Sequence, residues 1–111
     1  MLTLKKIATS KRTSLPRTST YTKSFLKDWD RLSRCGRYDI SRLKEVILKL
    51  ISNDAPLGAE WLDHALKGHW KDYRECHIGG DFLLIYQLEE TMKNESIVFV
   101  RAGTHADLFE N

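Results

Sequence analysis

The sequence predicts an α+β fold, with two N-terminal helices packed on one face of a small, mostly antiparallel sheet built from the C-terminal half. Three observations predict it. Apolar residues recur at helical spacing from Phe25 to Ile51 and then stop doing so. Short apolar runs of strand length fill residues 73–101. The breakers Gly36, Pro56 with Gly58, and Gly79-Gly80 fall between the segments rather than within them.

The first twenty residues carry Lys5, Lys6, Lys11, Arg12 and Arg17, no acid, and many Ser and Thr. That composition resembles a transit peptide or a basic arm and lacks a secretory apolar core. Residues 1–12 are therefore expected to be a flexible basic extension, and residues 13–111 the folded domain. Leu15-Pro16-Arg17-Thr18-Ser19-Thr20 suits an edge strand, where proline is tolerated. Thr22 is a natural N-cap for a helix whose stripe is Phe25, Trp29 and Leu32, and Gly36 ends it. A second helix starts near Asp39 or Ser41 and runs along Ile40, Leu43, Ile47 and Leu50 to Asn53. Residues 61–70 look irregular. Segments 73–78, 82–88 and 97–101 then read as a three-stranded antiparallel meander. The middle segment, Phe82-Leu83-Leu84-Ile85-Tyr86, is apolar on both faces and belongs at the centre. The helices cover one face of this sheet, which leaves the other for a site.

A chain of 111 residues with 41% hydrophobic and 30% charged residues fits one globular domain. No apolar run approaches the roughly 20 residues needed to span a bilayer, so no membrane association is expected. Two cysteines, Cys35 and Cys76, suit a reduced, cytoplasmic protein, although composition leaves a bridge between them open. Charge is uneven. Residues 1–50 hold 13 Lys/Arg against 4 Asp/Glu, whereas residues 51–111 hold 5 against 11. A basic half suits a polyanion such as RNA, although composition alone favours solvated helix faces. If nucleic acid binds, it binds one face.

All four histidines, His64, His69, His77 and His105, lie beyond residue 60. Histidine exchanges protons near neutral pH, so a group of them beside Asp81 and Arg101 suggests acid–base chemistry. Metal ligation competes with this. The sequence has no CxxC or HxxxH pair, however, and the adjacent Cys76 and His77 would point to opposite faces of a strand. No metal and no cofactor are expected. A phosphate-cradling P-loop, a dinucleotide fingerprint and a nucleophile elbow are also absent. The remaining set suits RNA cleavage, in which the substrate supplies its own nucleophile. A base removes the 2′-OH proton, the oxygen attacks the adjacent phosphorus, and an acid protonates the departing 5′ oxygen. Arg101 is suited to grip the non-bridging oxygens as charge builds.

The segment from Asp63 to His77, D-H-A-L-K-G-H-W-K-D-Y-R-E-C-H, resembles the central motif of YafQ-type toxins of the RelE/ParE superfamily. The tail from Arg101 to Phe109, R-A-G-T-H-A-D-L-F, is similar to that family's ending. The resemblance implies a RelE-like fold and an endoribonuclease that cuts mRNA in the ribosomal decoding site. It implies as partners a cognate antitoxin protein encoded nearby, the mRNA and the 70S ribosome. It assigns His64, His77, Asp81 and His105 to catalysis and Arg101 and Phe109 to substrate binding. His105 is then the general acid, while His64 and His77 share the roles of base and phosphate-orienting group without a choice between them. Asp81 accepts from an imidazole and favours its protonated form. Phe109 stacks on an unstacked base or plugs the C-terminal core. His69 falls on a variable position and is left out.

The family's Glu-Pro-Asp-Trp run is replaced here by Gly79-Gly80-Asp81-Phe82. A two-residue hairpin at Gly79-Gly80 would turn Asp81 away from His77, whereas a loop over 78–81 frees it to face the site. The longer loop is expected. Two readings compete with the ribonuclease: a gyrase-directed toxin of the same fold, and an RNA- or protein-binding module with structural histidines.

Overall fold

The computed structural model describes residues 15–90 and 95–109, so the expected basic extension over residues 1–12 lies outside it. The elements are β1 (Thr18–Tyr21), α1 (Lys23–Cys35), α2 (Ile40–Ser52), β2 (His64–Ala65), β3 (Arg74–Gly79), β4 (Phe82–Glu90), β5 (Glu95–Gly103) and α3 (His105–Phe109). They form a five-stranded sheet in the order β1-β5-β4-β3-β2, with β1 parallel to β5 and the other pairs antiparallel. The apolar β4 is central, as its composition requires.

Both helices begin and end at the residues that signal it. Thr22 Oγ1 accepts from Phe25 N–H (2.9 Å) and donates to the Val100 carbonyl (2.8 Å), so one hydroxyl caps α1 and ties it to β5. Gly36 ends α1 in the left-handed region (φ 71°). Asp39 caps α2 through Arg42 N–H, and Asn53 closes it at φ 55°. Phe25, Leu32, Leu43, Val46 and Leu50 from the helices bury against Cys76, Leu84, Tyr86, Ile97 and Phe99 from the sheet. This is the main core, and it occupies one face of the sheet.

The stretch read from sequence as irregular is held by Trp61, which is 1% exposed, with the Arg42 guanidinium 4.3 Å above its ring. Anchoring Trp61 brings the following residues alongside β3, where His64-Ala65 forms a fifth strand that the sequence reading missed. Two residues are too few to show an alternating pattern. On the opposite sheet face, Leu83, Ile85 and Leu108 form a smaller cluster bordered by Leu66, Trp70, Tyr73, Val100 and Phe109. The same face carries Glu75 and His77. Cys35 and Cys76 are free thiols, one exposed and one buried. Among the described residues no helix is long and apolar enough to cross a membrane.

Candidate active site

Sheet register assembles the site. His64 pairs with Glu75, which pairs with Ile85; one step along, His77 pairs with Leu83, which pairs with Gly103. Residues two apart on a strand share a face, so Glu75 and His77 both stand on the side away from α1 and α2. Cys76, between them, points into the helix-side core, where burial pushes its thiol pKa up. Gly103 delivers the chain to Thr104 and His105 beside His77. The imidazoles form a row: His64 to His77 spans 6.1 Å between centroids, and His77 to His105 spans 6.5 Å.

Each end of the row is fixed through Nδ1. His64 Nδ1 lies 2.8 Å from the Leu62 carbonyl. Because a carbonyl only accepts, that nitrogen carries the hydrogen and Nε2 is the atom left to exchange protons. His105 Nδ1 is hydrogen-bonded to Asp81 Oδ1, which also accepts from the His105 backbone N–H (3.2 Å). These bonds from His105 hold the Asp81 carboxyl below the usual carboxylate range. The turn that permits them differs from both loops considered from sequence. Gly79 pairs with Phe82, the tight turn is Gly80-Asp81, and a register shift between His77 and Gly79 absorbs the extra residue. Asp81 thus sits in the turn itself, free of strand alternation. Phe82 turns inward and packs against Tyr38 at 5.0 Å.

Glu75 is the site residue that sequence reasoning overlooked. Its side chain is 5% exposed, and its Oε2 lies 3.4 Å from His64 Nε2 and 3.5 Å from His77 Nε2. The available signal was the E-x-H spacing in a strand. Among the described residues, His64, Glu75 and His77 place one ligand atom each within 4.8 Å of one another. Two imidazole nitrogens and a carboxylate oxygen fit zinc or copper in donor chemistry.

Arg101 is placed differently from the imidazoles. β1 ends at Tyr21, opposite Phe99, so β5 becomes an edge beyond that point, and Asp28 of α1 meets it there. Asp28 accepts from Ala102 N–H (3.0 Å), Arg101 Nε (2.7 Å) and Nη2 (3.2 Å), and Arg31 Nη2 (3.2 Å). These bonds run to α1 rather than to the imidazole row, and they raise the Arg101 pKa. Arg31 continues to Asp107, which forms a capping box with Thr104 at the start of α3. Gly103 is needed here, because a Cβ would come 2.8 Å from Asp107 Oδ2. Phe109, on α3, contacts Trp70 edge-on at 5.6 Å and lies 5.8 Å from the His105 ring. His69 is exposed in a short turn of 3-10 helix, Gly68–Trp70, outside the row.

An imidazole row on the open face of a sheet, with helices on the other, goes with a defined class: residues 17–110 match the family model described as bacterial toxin of type II toxin–antitoxin system, YafQ. The mRNA interferase toxin YafQ of Escherichia coli strain K12 is 39% identical over 89 residues, covering 80% of this chain and 91% of that protein. Among solved structures, YafQ in the E. coli DinJ-YafQ complex superposes with a TM-score of 0.72 at 39% identity, covering 84% of this chain and 98% of that one. A metal-bound toxin from Helicobacter pylori gives a TM-score of 0.72 at 38% identity, covering 84% and 99%. The chain belongs to the YafQ toxin family.

Proposed function

We propose that this chain is the toxin of a type II toxin–antitoxin pair, an mRNA interferase that cleaves mRNA on the ribosome by acid–base chemistry. The observation that carries the reading is the row His64, His77 and His105, set on the sheet face that α1 and α2 leave open. A scissile phosphate laid along the row would have an imidazole on each side. His105 is assigned as general acid: Asp81 engages its Nδ1, so Nε2 is the nitrogen that protonates the leaving 5′ oxygen. His64 or His77 removes the 2′-OH proton, and the other orients the phosphate, with Glu75 between them. Arg101 is assigned to the phosphate oxygens through the donors that Asp28 leaves over, since Asp28 engages two of its five N–H groups. Phe109, half-buried beside His105, is assigned to stack on an unstacked base.

Metal is not required by this scheme. The His64–Glu75–His77 cluster would hold a divalent cation, which when bound supplies Lewis-acid polarisation of a phosphoryl oxygen. It would also occupy the lone pairs that the proton transfers use. A cognate antitoxin partner is proposed because a relative has been solved as the DinJ-YafQ complex. Action in the cytoplasm follows from the ribosomal substrate. The test maps mRNA 5′ ends after expression of the wild type and of His105→Ala. New, discrete 5′ ends are expected only with the wild type. Their persistence in the variant would remove the mechanistic assignment.

A further inference from the structure

His64 sits on the least supported strand of the sheet. β2 has two residues and lies at the edge, paired among the described residues only with β3, through His64–Glu75 and Ala65–Arg74. So short a strand has little ladder of its own. The residue two before it adds a further demand, because Leu62 is held in the left-handed region at φ 49°. For a non-glycine residue this conformation is strained and persists only where the surroundings enforce it. Yet the Leu62 carbonyl is the group that selects which nitrogen of His64 carries the hydrogen.

What enforces it lies on the other side of the sheet. Strand alternation turns Asp63 away from the face that presents His64. Tyr86 OH donates to Asp63 Oδ1, and Arg74 Nη2 donates to Asp63 Oδ2 at 2.9 Å. Arg74 and Tyr86 are themselves register partners on β3 and β4, in the row next to Glu75 and Ile85. Tyr86 is 1% exposed, packed in the helix-side core. Its burial and its bond to Asp63 both raise the phenol pKa, and the same carboxylate raises that of Arg74. Asp63 is thereby bolted to the two inner strands while the residues on either side of it make the Leu62–His64 contact. Leu62, Asp63, Arg74 and Tyr86 line a cleft of about 620 Å³ on this reverse side.

We propose that Asp63, clamped from the helix side by Tyr86 and Arg74, is the positioning residue for His64. It holds the Leu62 carbonyl on Nδ1 so that Nε2 performs the proton exchange. The proposal rests on reading the imidazole row as an endoribonuclease site. It also favours His64 over His77 as the base, because the clamped Asp63 is the chain neighbour of His64.

The test reads the tautomers of the imidazoles by long-range proton–nitrogen correlation in the purified, folded chain, alongside RNA cleavage. In the wild type, neutral His64 is expected with hydrogen on Nδ1. In Asp63→Asn it should shift to a mixture dominated by hydrogen on Nε2, with the His77 and His105 rings unchanged. Cleavage at saturating RNA should fall at least about tenfold, with KM within about twofold, as expected for a misplaced reacting group. Tyr86→Phe keeps the Arg74 contact and should give an intermediate shift. Leu62→Gly, which tolerates positive φ without cost, should retain the wild-type tautomer. A folded Asp63→Asn chain with an unchanged His64 tautomer overturns the proposal. Should Asp63→Asn fail to fold, an unchanged tautomer in Tyr86→Phe overturns it instead. The tautomer readout stands even if the wild type cuts no RNA, so failure of the functional reading would be recognised separately.

Discussion

The two ends of the imidazole row are held in chemically different ways. His64 is fixed on Nδ1 by a backbone carbonyl, on a segment braced from behind by the buried Tyr86 and the half-buried Arg74. His105 is fixed by the Asp81 carboxylate, which stands in an exposed turn with 57% of its side chain accessible. A carbonyl has no proton to gain, so the His64 contact favours hydrogen on Nδ1 without depending on the charge of its acceptor. A carboxylate can be neutralised, so the His105 contact depends on charge. On Nδ1, then, one end of the row has an uncharged acceptor and the other a charged, solvent-facing one, with the His77 ring between them.

The sharpest way to break this comparison is to remove each ring. His105→Ala and His64→Ala should each lower the cleavage rate by about a hundredfold to ten-thousandfold, the usual range for a positioned acid or base. Substrate chemistry tells the two losses apart. RNA with sulfur at the bridging 5′ position has a leaving group that needs no proton. It should restore much of the rate to His105→Ala and little to His64→Ala. Rescue of both variants alike would dissolve the distinction between the ends.

Zinc sharpens the comparison from another direction. Added Zn²⁺ should abolish most cleavage by occupying His64, Glu75 and His77, and a chelator should restore it. The ring signals of His64 and His77 should shift while that of His105 does not. Activity lost to chelator and recovered with zinc would reverse the proposed chemistry.

A smaller effect is expected at Asp28, which ties α1 to the His105 end. Asp28→Ala leaves the Ala102 N–H and the Arg101 guanidinium without their acceptor. It should destabilise the chain by about 2–4 kcal/mol in urea unfolding, toward the lower figure because Arg101 is partly solvated. His64 tautomerism should be untouched. A change there would show that the two ends are not independently supported.

Legibility in the sequence follows the distance over which each interaction acts. Thr22, Gly36, Asp39 and Asn53 are local caps, and the structure puts helix ends at each of them. The apolar β4 and the open face opposite the helices could be read from pattern alone. The motifs pointed to His64, His77 and His105, and the sheet brings those three rings into one row. What escaped reading depends on partners far along the chain. Asp28 meets Arg101 across 73 residues, and Asp63 meets Tyr86 across 23. A hint did exist for Asp28, an acid on the apolar stripe between Phe25 and Leu32. Glu75 was missed because the adjacent pair Cys76-His77 was weighed rather than the alternating pair. The Gly80-Asp81 turn was hidden by a register shift that no residue type announces.

The smallest expected effect concerns acid. Asp81 has its pKa lowered in the folded chain by the bonds from His105. A lowered carboxylate contributes its full share above its ordinary pKa, near 4, and loses it as pH falls through the folded value. The contact from the His105 amide to Asp81 should therefore be intact at neutral pH and at pH 5, and should loosen only below about pH 4. Titration followed by the His105 amide shift should give a midpoint under the ordinary aspartate value, and Asp81→Asn should abolish that titration. At the other end, the acceptor for His64 Nδ1 is a carbonyl, which has no such midpoint of its own. A midpoint for His105 at or above the ordinary value would mean that Asp81 does not hold this imidazole in solution. The distinction between a charge-based and an uncharged support would then fall at its exposed end.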